Sequence, residues 1–213
     1  MKKRTVFSLN LKNKLLQEKR KCILVLTIFF FGLLLGGITS VYAKVETTQE
    51  MQQYFHKFFS AYMIQGSAKS EAFYLSLMNY LQFALWIWAS GWYFWLLPFG
   101  FFQCMLKGFR TGFTITYLIQ CYPLKGILLN AIAILPQNLL LLPALCLYLI
   151  SQVQFALDRK LIRKSAVSTT IKKQIYAHHG IMTGMFLVVL LVCALIEGYI
   201  VPTLLQPLCG FFL

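Results

Sequence analysis

The chain has 213 residues, of which 59% are hydrophobic and only 12% charged. A water-soluble domain averages about 45–50% apolar and about 25% charged residues, so an ordinary soluble enzyme, a disordered chain and a disulfide-stapled mini-protein are excluded. Mean hydropathy is +0.68, and the 20 Lys+Arg against six Asp+Glu (net charge +14) sit mostly between apolar blocks. That placement fits orientation in a membrane rather than binding of nucleic acid.

Residues 1–21 carry eight Lys or Arg and one acid, Glu18. An uncharged run of 22 residues follows at 22–43, long enough for a ~30 Å hydrocarbon core. Val41-Tyr42-Ala43 has the form of a signal-peptide cleavage site. The long basic leader, and an apolar run beyond the usual length of about 7–15 residues, predict an uncleaved anchor instead.

Residues 44–72 are polar and nearly charge-balanced. Within them Met51, Tyr54, Phe55, Phe58, Phe59, Tyr62 and Met63 keep the spacing of one helical face. Thr47 and Glu50 have capping-box spacing, and Gly66 can end the helix. An amphipathic helix over 47–65 is expected on the outer side. Its aromatic face (Tyr54, Phe55, Phe58, Phe59, Tyr62) either docks on lipid or the bundle, or binds a partner.

Met78 to Tyr122 must be divided. A break at Pro98-Phe99-Gly100 gives spans at 78–97 and 99–122, both long enough to cross, and places Lys107 and Arg110 inside the second. A turn at Pro123-Leu124-Lys125-Gly126 leads to a span at 127–150, interrupted by Leu135-Pro136-Gln137-Asn138 and by Pro143. Gln137 and Asn138 are placed to satisfy backbone carbonyls that proline frees. Residues 158–176 form a basic loop with six Lys or Arg against Asp158. A last span covers 181–205. If both basic segments are cytoplasmic, an even number of crossings separates them. The expected fold is therefore an all-α integral membrane protein: a basic cytoplasmic segment 1–21, then one membrane domain over 22–213. It has five transmembrane helices, the N-terminus inside and the C-terminus outside.

Glu197 is the sole acid inside an apolar span, and insertion scales put an aspartate at a helix centre at about 2.5–3.5 kcal/mol. Such a group is normally paired, protonated or wet. Lys107, Arg110, Gln137, Asn138 and Glu197 are expected to meet near the midplane. The pairs Gly32/Gly36, Gly108/Gly112 and Gly180/Gly184 have the GxxxG spacing that permits close helix approach. The histidines His56, His178 and His179 read as surface or interface groups, and the six cysteines as apolar packing. No nucleophile-and-base set, phosphate loop or intramembrane-protease motif occurs. Neither an enzyme, a catalytic residue, a cofactor, a metal site nor a nucleic-acid partner is expected.

Several stretches together resemble the stage II sporulation protein M family of endospore-forming bacteria. The strongest is Lys107-Gly108-x-x-x-Gly112-Phe113-Thr114, followed by Lys125-Gly126 and Leu135-Pro136-Gln137-Asn138. Ser67-Ala68-Lys69 leading to Asn79, and Ile196-Glu197 with Pro202, look similar too, and the resemblance covers about Lys12 to Leu205. The short tail after Leu205 departs from the family, as do Cys104, Cys121, Cys193 and Cys209. The resemblance implies a multi-pass protein of the bacterial cell membrane, in a sporulating host the engulfing membrane of the mother cell. It also implies a non-enzymatic scaffold that recruits stage II sporulation proteins D and P, which degrade septal peptidoglycan during forespore engulfment. Membrane lipid is a further expected partner, and a homo-oligomer stays open. The alternative is a transporter or channel subunit, suggested by the midplane polar residues and the proline-broken spans.

Overall fold

The computed structural model describes residues 2–42, 68–164 and 168–204, and all of their regular structure is helical. The expected amphipathic helix 47–65, with its aromatic face, lies outside the described residues.

Helix α1 (Lys2–Val41) joins the basic leader and the first apolar run into one rod of 40 residues. Helix α2 (Ala68–Trp92) stops where Tyr93 turns extended (φ −130°, ψ 132°) before a 3₁₀ turn at Phe94–Leu96. Helix α3 (Leu97–Cys121) carries Pro98 in its first turn, where the missing N–H is one that no helical carbonyl would have accepted. It ends because Tyr122 leaves the helical region (φ −138°, ψ 81°) ahead of Pro123, as residues before proline tend to do. Helix α4 (Pro123–Ala133) again starts on proline. Helix α5 (Leu135–Lys164) starts with Pro136 in its first turn and absorbs Pro143. Helix α6 (Thr169–Leu195) runs on through a π turn at Ile196–Ile200 to residue 204.

Among the described residues, three helical stretches are long and apolar enough to cross a membrane: Lys19–Val41, Leu135–Arg163 and Thr169–Leu204. Helices α2 and α3, 25 residues each, reach about 37 Å at 1.5 Å per residue, but α3 carries Lys107 and Arg110. Several expected boundaries move. The division near Pro98 occurs earlier, at Tyr93. The expected span 127–150 is not one helix: it breaks at Ile134, leaving an 11-residue α4 too short to cross, so α5 takes its place. The basic loop 158–176 is mostly the ends of α5 and α6, because Lys and Arg are good helix formers.

The main core lies between α1, α2, α3, α5 and α6, around Ile87, Cys104, Leu141, Leu145, Leu190 and Cys193. A second cluster joins Leu118, Leu129 and Val201. Cys104, Cys146 and Cys193 are buried free thiols, packed as small apolar groups. Helices α1 and α3 run parallel, since Gly32 meets Met105 and Gly36 meets Phe109. Lys160 lies over the Phe94 ring, 4.3 Å from its centroid. The basic stretches of α1 and α5 therefore share the end of the bundle at which α3 begins. The segment 43–67 is flanked at the opposite end, where Gly37 meets Thr116 and Gly198 meets Phe73.

Candidate functional site

An apolar bundle that contains a lysine and a glutamate must place them together or leave each uncompensated. Tyr80 of α2 is the centre of the arrangement. It is 4% exposed, and its hydroxyl donates to Gln137 Oε1 on α5 at 3.0 Å. Lys107 Nζ of α3 lies 5.1 Å from the centroid of the same ring. Glu197, in the π turn that continues α6, lies within electrostatic reach of both Tyr80 and Lys107. Four helices thus each contribute one polar side chain to one spot. The hydroxyl has one hydrogen to give, and Gln137 Oε1 receives it. Cys193 Sγ, one turn before Glu197, faces the Gln137 carbonyl oxygen at 3.7 Å.

Glu197 lies within a π turn. The turn begins at Ile196 and widens the helix there, and such turns shift the face that later side chains present. Gly198, buried within it, lies so close to Phe73 that a Cβ would collide with that residue's backbone. A larger residue at 198 would push α6 off α2 and withdraw Glu197.

Lys107, Gln137 and Glu197 are brought together, but Arg110 is not among them. It is exposed, and its carbonyl accepts from Thr114 Oγ1 at 2.9 Å. Arg110 is three residues beyond Lys107, about 60° round the helix, which turns it out of the polar spot. Asn138 is buried but serves its own helix, donating from Nδ2 to the Ile134 carbonyl at 2.9 Å. That bond caps the break between α4 and α5. Asn130 instead ties α4 to α3, donating from Nδ2 to the Ile115 carbonyl at 3.0 Å. Tyr80 is the member that charges and amides do not reveal. Its signal is the helical series Phe73, Leu77, Tyr80, Ala84, Ile87: a tyrosine on a buried face needs a hydrogen-bond partner.

The glycines form a second built feature. A Cβ at Gly32 would strike the Met105 carbonyl, one at Gly36 the Phe109 carbonyl, one at Gly108 the Phe29 carbonyl and one at Gly112 the Leu33 carbonyl. The two pairs interlock, backbone against backbone. Gly180 and Gly184 have nothing within 4 Å of an added Cβ, so this third pair makes no such seam among the described residues. His178 is exposed, and His179, only 6% exposed, is the interface group of the two. Its ring is covered by Phe155, with centroids 3.8 Å apart.

The family model described as stage II sporulation protein M matches residues 25–202. That stretch runs from a buried residue of α1 to the last turns of α6 and includes the four polar residues and all four seam glycines. No curated protein and no solved structure matches the chain.

Proposed function

The chain belongs to the stage II sporulation protein M family, a family of sporulation-related membrane proteins, and on that premise we propose that it is a non-enzymatic scaffold of the engulfing membrane. In this reading it crosses the membrane five times, through α1, α2, α3, α5 and α6, with its N-terminus in the cytoplasm. It recruits stage II sporulation proteins D and P to thin septal peptidoglycan.

The observation that carries the reading is the ends of the bundle. Both basic stretches share one end, and the flanks of 43–67 lie at the other. With the basic end in the cytoplasm, the aromatic pattern of 47–65 falls on the side of the cell wall. The buried polar groups favour a scaffold over a transporter. Tyr80 bonds Gln137 across α2 and α5, and Lys107 covers the Tyr80 ring with Glu197 in electrostatic reach, an arrangement that supports a register-fixing role rather than a solute path.

The aromatic face 54–62 supplies apolar anchors of the kind that dominate interfaces. Phe55→Glu combined with Phe58→Glu is expected to cut co-purification of the two peptidoglycan-degrading partners at least tenfold. The protein level in the membrane should stay unchanged. Undiminished co-purification with stable mutant protein would refute the assignment of that face.

A further inference from the structure

We infer, independently of the scaffold reading, that His179 is a proton-operated latch between α5 and α6 at the basic end of the bundle. Uncharged, its ring is sealed against Phe155 of α5. Protonated, it leaves that stack for the neighbouring cavity, beside Asp158, and frees this end of α6 from α5. The cavity has a volume of about 200 Å³, room for an imidazole ring. Asp158 lines it from α5, and Gln174, His178 and His179 from α6.

The closed latch is built on Phe155, which is buried. The His179 ring lies flat on it, with centroids 3.8 Å apart and an interplanar angle of 5°. Tyr176 meets the Phe155 ring edge-on at 5.6 Å, and Trp92 of α2 does so at 6.3 Å. Arg159 lies 5.9 Å from the same centroid. It also donates to the Trp92 carbonyl at 2.6 Å and lies 4.7 Å from the Trp92 ring centroid. One phenylalanine thus joins α2, α5 and α6, and His179 is a main contact of α6 with it.

The uncharged ring is the one that fits there. His179 is 6% exposed, and neither ring nitrogen has a hydrogen-bond partner among the described residues. An imidazolium carries two N–H donors, and burying a charge without partners is costly. Burial, then His178 and Arg159, oppose a charge on the ring. Lys172, two turns earlier on α6, has the same sign as Arg159, while Lys160 is turned to the Phe94 ring. Asp158 is the acid that faces the cavity.

Proton linkage sets the direction. His179 precedes the apolar run that begins at Ile181, so protons reach it from water when this end of α6 moves. In the unfolded chain the ring takes a proton at about pH 6.5, whereas the stack keeps it neutral to lower pH. The closed latch is therefore fully stable above that range and loses stability as pH falls through it. On the open side Asp158 gives the charged ring a counter-ion. The stack and the ion pair belong to opposite protonation states, which makes a two-state element of the kind that histidines bias.

The test uses the full chain in nanodiscs, titrated from about pH 8 to about pH 5. One sample carries labelled histidine ring nitrogens for NMR. A second carries spin labels at two exposed positions, Leu161 of α5 and Lys173 of α6. The His179 ring should take up its proton below about pH 6.5, and over the same interval the distance between the labels should lengthen by several ångströms. His179→Phe keeps the stack and removes both nitrogens, so its distance should hold the high-pH value throughout. Asp158→Asn leaves the stack untouched and removes the counter-ion, so it should move the transition to lower pH. If His179→Phe fails to fold, Asp158→Asn decides alone. A distance that stays constant while His179 titrates would overturn the inference, as would a ring still neutral at about pH 5. So would a lengthening that persists in folded His179→Phe, or an unshifted transition in Asp158→Asn.

Discussion

Helix α3 is held on its two sides by opposite means. Against α1 it presents Gly108 and Gly112 to Gly32 and Gly36, and the seam is defined by side chains that are missing. Towards α2, α5 and α6 it presents Lys107, and the contact is defined by side chains that are polar. In a bilayer the hydrophobic effect does not drive helices together, so close packing and polar contacts must. The seam has no room for any side chain larger than hydrogen. The polar spot tolerates changes of shape and is intolerant of an unmatched charge.

The largest expected effect is on the polar side. Glu197→Ala removes the acid within electrostatic reach of Lys107, and a lysine left without an opposite charge inside a span costs about 2.5–3.5 kcal/mol. Lys107→Met in the same chain should recover much of that loss, read as a double-mutant cycle of thermal unfolding in detergent. Purely additive losses would show that the two groups do not communicate. Arg110→Gln, outside the spot, should be close to neutral in the same assay.

The next effect is on the seam. Gly108→Leu should cost about 1–3 kcal/mol or more, as overpacking does, and should separate α1 from α3. Gly184→Leu has the same spacing and open surroundings, so its effect should stay within about 0.5 kcal/mol. Measured side by side by thermal unfolding, the two substitutions sharpen the contrast. Comparable damage at Gly184 would mean that the α6 glycines pack against something in the assembled membrane complex.

Much of this contrast is legible in the sequence. Charges and amides inside apolar runs stand out, so Lys107, Gln137 and Glu197 declare themselves by residue type alone. The glycine pairs of α1 and α3 do so by spacing. What spacing does not supply is the partner: Gly180 and Gly184 repeat the pattern without a facing backbone. Depth in the membrane groups Arg110 with Lys107, whereas the turn of the helix separates them. Tyr80 is hidden because a hydroxyl on an aromatic ring reads as apolar. The burial of His179 depends on Phe155, 24 positions away, a contact made only when α5 folds back on α6. Boundaries are least legible, because basic residues end an apolar run without ending a helix, and prolines in a first turn start helices rather than break them.

The central claim, that the aromatic face near Phe58 holds envelope enzymes, is tested most directly by placing a photo-reactive residue at Phe58 and cross-linking in intact membranes. The account predicts capture of a peptidoglycan-degrading enzyme from the wall side of the membrane, lost when Phe55 is changed to Glu. Capture of lipid or of the chain itself alone would contradict it, reduce the segment to a membrane dock and return the transporter reading to contention.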